Sequence, residues 1–152
     1  GMDWDIRTRE PYSSYEEFDF DVIVGKAEYG ELGDCWNRYY VRIQEMRESL
    51  KIIRQAVTKI RGTEPGEENI RAKMKKVIKL PKGEVYSRTE TARGELGFYL
   101  VGNGKDVPHR MKIRTPSFCS LMGFEEFTRD FMIADVVAVL GSIDIVLGDV
   151  DR

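Results

Sequence analysis

The chain has 152 residues, enough for one domain with a single core of ordinary size. With 41% hydrophobic and 33% charged residues it should fold rather than remain a disordered tail. Its formal charge of -2 excludes the positive field that recruits nucleic acid. The longest apolar run, residues 131–147, is too short and too often interrupted to span a bilayer, and no basic flank with an apolar run opens the chain. We therefore expect one cytoplasmic domain over residues 1–152.

Residues 1–33 predict an extended arm, because aromatic side chains are scattered among acids with Pro11 and Gly25 as breakers. Apolar residues alternate over 18–24 with a period of two. This alternation predicts a short strand, although Asp19 and Asp21 fit an irregular loop equally well.

Residues 34–61 predict one long amphipathic helix. Asp34 stands where an N-cap residue belongs, and apolar residues follow at spacings of three and four from Trp36 to Ile60. Gly62 ends the helix as its C-cap residue.

Residues 62–83 predict a linker and a short basic helix. The linker is rich in Pro, Gly and Glu, and the basic run covers Ile70 to Lys79. Although such a run could dock an acidic partner, we interpret it as a solvated helix face.

Residues 84–114 predict a small antiparallel sheet. The strands are expected at Val85–Thr91, Leu96–Val101 and Met111–Arg114, with Asn103-Gly104 as a turn of the hairpin type.

Residues 115–152 predict a helix and a C-terminal segment. The helix should run from beyond Pro116 to Leu140, end near Gly141 and be buried. The predicted fold class is therefore α+β, with a long amphipathic helix, a C-terminal buried helix and a small antiparallel sheet.

The residues alone give little support for a catalytic centre. The single histidine, His109, and the cysteines Cys35 and Cys119 are too far apart in sequence to suggest a metal site, and the cysteines are interpreted as packing residues. Two carboxylates, Asp135 and Asp144, lie among apolar residues, where an ionised group must be paired, protonated or directed at a cavity. For Asp135 the favoured interpretation is a helix acid bonded to backbone amides, and Asp144 is the better candidate.

Several motifs lie in register over nearly the whole chain. They include Asp3-Trp4-Asp5-Ile6-Arg7, Gly33-Asp34, Arg38-Tyr39, Arg42 through Glu45-Met46, Arg93-Gly94-Glu95-Leu96-Gly97, Lys112-Ile113-Arg114, and the ending from Gly141-Ser142-Ile143-Asp144 to Asp151-Arg152. With them the chain resembles the C-terminal portion of the quinone-reducing D subunit family of complex I, the NADH:quinone oxidoreductase. That family is similar to nickel-iron hydrogenase large subunits.

The resemblance implies a fold like the C-terminal part of a hydrogenase large subunit and a role in lining a quinone pocket. The implied pocket residues are Arg93, Asp144, Val146 and Val150, with no catalytic residue and no metal in this chain. Quinone is the implied substrate. The iron-sulfur cluster and NAD(H) would be bound by partner subunits, and this chain would bind no cofactor itself.

The resemblance also implies partners: the other complex I subunits, among them the iron-sulfur subunit, and an N-terminal half that supplies a histidine and a tyrosine to the quinone. The chain would lie on the cytoplasmic side of the membrane as a peripheral protein. Alone it should be inactive, and its uncovered apolar surface predicts a homodimer. Two alternatives stay open: a fragment of a membrane-bound nickel-iron hydrogenase-like complex, disfavoured because residues 141–152 lack cysteine, and a non-catalytic scaffold fragment.

Overall fold

A computed structural model describes residues 1–63, 66 and 73–151 of the chain. Helices and a small antiparallel sheet are both present, so the predicted α+β class is confirmed. The elements are α1 (Ile6–Arg9), α2 (Cys35–Arg61), β1 (Gly83–Thr91), β2 (Gly94–Gly102), β3 (Arg110–Arg114), α3 (Pro116–Met122), α4 (Phe124–Thr128), α5 (Ile133–Ile143) and α6 (Leu147–Val150).

The long helix predicted over residues 34–61 is present as α2, with 27 residues. Its N-cap is Asp34, whose carboxylate accepts a hydrogen bond from the Asn37 N–H at 2.7 Å. At the other end the N–H of Gly62 donates to the last turn. Both ends therefore follow from the capping residues that the sequence supplies.

The arm that precedes α2 is less regular than a strand. It contains α1 and a 3-10 turn at Tyr15–Glu17, and residues 18–24 form an irregular stretch, as the loop interpretation had it. The stretch lies along one face of α2, where Gln55 bonds both the N–H and the carbonyl of Asp19. Lys59 adds an ion pair with Glu17 at 2.8 Å. The arm is thus held by side chains of α2 rather than by a sheet ladder.

The predicted basic helix is wrong over the part that the structure describes. Residues 73–79 form an irregular stretch with exposed side chains, and residues 70–72 lie outside the described residues. The apolar residues Met74, Val77 and Ile78 are all more than half exposed, so no packing contact stabilises a helix there.

The sheet has the order β1-β2-β3, and both pairs are antiparallel. Its tight hairpin lies at Ala92-Arg93, because Thr91 pairs with Gly94. The predicted hairpin turn at Asn103-Gly104 belongs instead to the longer loop between β2 and β3, in which Gly104 has a φ of 87°. Arg93 therefore lies at the tip of a hairpin.

The single helix predicted from Pro116 to Leu140 is three helices, α3, α4 and α5. Gly123 separates the first two, and the chain turns again at Asp130, whose φ is 63°. Helix α5 continues past Gly141 to Ile143 and is largely exposed: Ile133 is 90% exposed. The prediction of a buried C-terminal helix is therefore wrong.

The core within the described residues is small. The buried hydrophobic side chains are Ile6, Val139 and Ile143, which come from α1 and α5. The predicted packing role of Cys119 is wrong, since this residue is exposed on α3, whereas Cys35 is half-buried. Much of the apolar surface predicted to form a core is therefore uncovered.

Candidate functional site

A cleft of about 1010 Å³ lies between the arm, α2, the tip of the β1-β2 hairpin and the end of α5. Among its lining side chains are four arginines and several acids, so the cleft is polar and charged as well as apolar. The charged groups are Arg7, Arg38, Arg42, Arg93, Asp5, Asp21, Glu45, Glu48, Glu90 and Asp144.

Arg93 and Asp144 meet at one wall of this cleft although they lie 51 residues apart in sequence. The Arg93 Nε–H donates to the Asp144 carbonyl oxygen at 2.8 Å, and Nη2 lies 3.4 Å from each carboxylate oxygen. Both side chains keep contact with solvent, with exposed fractions of 35% and 44%. The structure thus joins the two charged residues that the sequence singled out.

The position of Asp144 follows from the way α5 ends. Asp144 is the C-cap residue in the left-handed conformation, with φ 50° and ψ 50°, and its N–H donates to the Gly141 carbonyl at 3.2 Å. Aspartate tolerates this conformation better than most residues. The helix end therefore turns both the carbonyl and the carboxylate of Asp144 toward the hairpin tip.

Two arginines of α2 hold the same end of α5. The Arg38 Nε–H donates to the Ser142 hydroxyl oxygen at 2.9 Å, and that hydroxyl donates to the Val139 carbonyl at 2.6 Å. The Arg42 guanidinium donates to the Ser142 carbonyl. Since helix carbonyls at a C-terminus lack intrahelical partners and carry partial negative charge, cationic donors suit this position.

The arm closes the opposite side of the cleft with a second arginine-acid pair. Asp5 is buried and accepts from Arg7 Nε at 3.0 Å and from Nη2 at 2.7 Å. The guanidinium of Arg7 also lies 4.8 Å from the centre of the Phe20 ring. Because Asp5 also caps α1 by accepting from the Arg7 N–H at 2.8 Å, this wall is fixed locally.

Two glutamates on the cleft wall have perturbed acidities. Loss of water raises the pKa of Glu45, an effect that nearby Arg42 and Arg7 oppose. Loss of water also raises the pKa of Glu90, against the hydrogen bond that its carboxylate accepts from the Ile6 N–H at 3.0 Å. Both carboxyls therefore hold a proton to higher pH than a free glutamate.

The other predicted site residues lie elsewhere. Val146 and Val150 do not line the cleft; they lie at and within α6, which packs against α3. Their place in a quinone pocket stays a prediction. Asp135 lies in the first turn of α5, where the helix dipole favours an acid, but none of the hydrogen bonds found among the described residues joins its carboxylate to a backbone amide. His109 is exposed just before β3.

Sequence reasoning gave no site role to Arg38, Arg42, Glu45 or Glu90. Part of this group could have been found from the sequence, because Arg38, Arg42 and Glu45 lie at spacings of four and three and so share one face of α2. They also belong to the motifs that carry the resemblance. Their partners, however, come from distant segments that spacing alone does not bring together.

Two further observations concern metal binding and membrane insertion in the described residues. Over 1–63, 66 and 73–151, no three His, Cys, Asp or Glu side chains are grouped as metal ligands would be. Over the same ranges, every helix is too short or too polar to cross a bilayer.

Comparison with known proteins identifies relatives of this chain. A sequence model of the family described as the respiratory-chain NADH dehydrogenase 49 Kd subunit matches residues 1–152. The D subunit of the NADH-quinone oxidoreductase of Bacillus anthracis is 46% identical over 151 residues, which are 99% of this chain and 39% of that protein. The Bacillus cytotoxicus protein of the same name is 47% identical over the same shares of both chains.

A relative from another bacterial genus gives the same result. The D subunit numbered 2 of Sorangium cellulosum is 44% identical over 152 residues, or 100% of this chain and 38% of that protein. The chain thus spans about two fifths of the length of the curated relatives that it matches. These matches confirm the resemblance inferred from the motifs: the chain belongs to the family of the 49 Kd subunit of respiratory-chain NADH dehydrogenase.

Proposed function

We propose that this chain contributes one wall of the quinone-binding pocket of an NADH-quinone oxidoreductase, as part of its 49 Kd subunit. The observation that carries the proposal is the meeting of Arg93 and Asp144 on the wall of a large cleft. The names of the relatives supply the substrate class, because those proteins are NADH-quinone oxidoreductase subunits.

The chemistry of a quinone headgroup fits this wall. A quinone presents two carbonyl oxygens, which accept hydrogen bonds, and its reduction adds two electrons and two protons. Arg93 is a fixed cationic donor with an exposed fraction of 35%, so its guanidinium can donate to a further acceptor in the cleft. Glu45 and Glu90, with raised pKa values, are groups that can exchange protons near the same space.

The electrons would come from outside this chain. We assign the iron-sulfur cluster and NAD(H) to partner subunits, with the iron-sulfur subunit in contact with this chain and the assembly on the cytoplasmic face of the membrane. The remainder of the 49 Kd subunit, about three fifths of the relatives' length, would supply the other walls of the pocket. The isolated chain is accordingly expected to be inactive.

A broad apolar surface supports a structural partnership with that remainder. Tyr39, Met46, Leu50, Ile53, Val57 and Ile60 form a stripe along one face of α2, which we call the α2 stripe, and every member is at least 40% exposed. Exposed apolar patches of this extent mark interaction sites. We propose that the rest of the 49 Kd subunit packs on the α2 stripe.

The pocket assignment can be tested in membrane vesicles that hold the assembled complex. Arg93→Gln removes the cation of the pair and Asp144→Asn removes the anion, each with little change in size. We expect each variant to raise the KM for a short-chain quinone by roughly tenfold, which corresponds to the loss of one charged hydrogen bond. NADH oxidation with ferricyanide, which bypasses quinone, should stay unchanged.

Arg129→Gln is the matched control, because Arg129 also pairs with an acid, Glu126, at 2.7 Å but lies outside the cleft lining. The control should leave the quinone KM unchanged. Normal quinone kinetics in both Arg93→Gln and Asp144→Asn would reject the pocket and favour the scaffold alternative.

A further inference from the structure

The C-terminal turn of α5 is attached to α2 at two points. Arg42 donates to the Ser142 carbonyl, and Arg38 donates to the Ser142 hydroxyl at 2.9 Å. Arg42 Nη1 also lies 3.3 Å from the Arg38 carbonyl, which aligns its guanidinium along the helix. Ser142 is therefore held through both its backbone and its side chain.

Arg38 is itself anchored by the structure around it. Its guanidinium donates to the Gly33 carbonyl, lies 3.3 Å from the Cys35 sulfur and sits 5.6 Å from the centre of the Phe127 ring. Such a side chain has little freedom, so the Ser142 hydroxyl is bound to a rigid donor. Arg42 makes fewer contacts than Arg38 among the described residues, and its bond to α5 goes to the Ser142 carbonyl.

The geometry of the cleft wall depends on this turn. Asp144 follows it directly and adopts its left-handed conformation only as the end of α5. The Arg93 side chain has both of its hydrogen-bond acceptors in Asp144, within the part of the chain that is described. Any shift of the last turn of α5 is therefore passed to the Arg93 guanidinium.

We propose that Arg42 is a positioning residue for the pocket: by holding the Ser142 carbonyl it sets Asp144, and through Asp144 it sets the Arg93 guanidinium. The inference rests on the proposed function for its effect on quinone, but its structural part stands apart from that function.

The test uses Arg42→Lys in the assembled complex. Lysine keeps the positive charge but ends in a flexible ammonium group instead of the planar guanidinium, whose Nη1 donates to the Ser142 carbonyl and the Arg38 carbonyl. We expect the quinone KM to rise by roughly fivefold, with kcat within about twofold of the unchanged enzyme. The matched control is Arg47→Lys, the same replacement on the same helix at an exposed residue bonded only to Gln44 among the described residues.

A double-mutant cycle separates positioning from an independent effect. If Arg42 acts through the Arg93 guanidinium, Arg42→Lys should change the KM by less than about twofold when Arg93→Gln is already present, because that replacement removes the group that is being positioned. Fully multiplicative effects of the two replacements would overturn the proposal.

Hydrogen exchange of the assembled complex, followed by mass spectrometry, gives a readout independent of quinone. Arg42→Lys should speed exchange of the amides in residues 142–146 by roughly tenfold, while Arg47→Lys should not. Unchanged exchange would reject the positioning role whatever the kinetics. Faster exchange together with a normal quinone KM in both Arg93→Gln and Asp144→Asn would instead reject the pocket and keep the link between Arg42 and α5.

Discussion

At the scale of a single residue, Glu90 links the arm, the edge of the sheet and the cleft. Its carboxylate accepts from the Ile6 N–H at 3.0 Å, its backbone lies at the open edge of β1, and its side chain lines the cleft. Loss of water raises its pKa, and the nearby Asp5 carboxylate acts in the same direction. The Glu90 carboxyl therefore keeps its proton to a higher pH than a free glutamate does.

The raised pKa predicts the pH dependence of stability. The folded chain binds this proton more tightly than the unfolded chain, whose glutamate pKa is about 4.3. The resulting stability is fully present below that value and is lost as the pH rises through the folded-state pKa of Glu90. Glu90→Gln keeps an acceptor for the Ile6 N–H but cannot ionise, so urea unfolding should show a weaker loss of stability as the pH rises above about 4.3.

Glu16→Gln provides the control, because Glu16 is exposed and lies outside the cleft lining. It should keep the pH dependence of the unchanged chain. A Glu90→Gln variant with the same pH profile as the unchanged chain would show that Glu90 does not supply this proton.

Individual site residues could be predicted from the sequence where the residue's own neighbours or motif marked it out. Asp144 stood out as an acid among apolar neighbours, and Arg93 followed from the resemblance. Arg38 and Arg42 could be placed on a helix face, but their partner Ser142 is 104 and 100 residues away, respectively. Nothing in local spacing identifies such a contact, because the packing of α5 on α2 creates it.

At the scale of elements, the arm protects the edge of the sheet. Strand β1 is an edge strand, and its outward backbone groups need partners other than β2. The Tyr12 hydroxyl accepts from the Glu90 N–H at 3.1 Å and lies 3.4 Å from the Glu90 carbonyl. The Tyr12 hydroxyl of the arm thus bonds both outward backbone groups of Glu90, which lies 78 positions further along the chain.

Tyr12→Phe should loosen the arm, because phenylalanine keeps the ring but loses both bonds to β1. The cost is about 1 kcal/mol, the ordinary net value of a partly exposed hydrogen bond. Limited trypsin digestion should therefore cut faster after Arg7 and Arg9. Tyr29→Phe serves as the control, since Tyr29 is 66% exposed, and equal digestion rates in the two variants would contradict a role for the hydroxyl.

Element prediction succeeded or failed according to local signals. Helix α2 carries a regular apolar period and a residue for each cap, so its limits followed from the sequence. The tight hairpin was misplaced because Asn-Gly is a favoured turn pair and Ala-Arg is not. The turn at Ala92-Arg93 relies on Gly94, whose φ of 121° suits glycine, and on the Thr91 hydroxyl, which donates to the Gly94 carbonyl at 2.8 Å.

At the scale of the whole molecule, the chain exposes more surface than its mass requires. Its accessible surface is 11977 Å², whereas a self-contained folded chain of 17.5 kDa exposes roughly 7,900 Å². The amphipathic pattern of α2 was predicted correctly from the sequence, but what covers the apolar face is not encoded in that pattern. Surface of this kind is consistent with a chain that spans two fifths of its relatives' length.

The arm and the α2 stripe occupy opposite faces of the same helix. Residues two positions apart on a helix point to opposite sides, as Lys51 and Ile53 do, and Gln55 and Val57. Lys51 and Gln55 bind the arm, whereas Ile53 and Val57 are 55% and 40% exposed. Because the arm already covers one face, the stripe is left for another partner.

Without the remaining three fifths of its family's length, the isolated chain should bury this stripe against a second copy. We expect sedimentation velocity to show dimers at tens of micromolar, since pairing two stripes can approach the roughly 1,200 Å² of a specific interface. Ile53→Lys combined with Ile60→Lys places charges in the stripe and should give monomers.

Thr58→Lys adds a charge off the stripe at an exposed position and should leave the dimer intact. A chain that sediments as a monomer at every concentration would contradict self-association through α2, and a dimer that persists in the Ile53 and Ile60 variant would place the contact on another face.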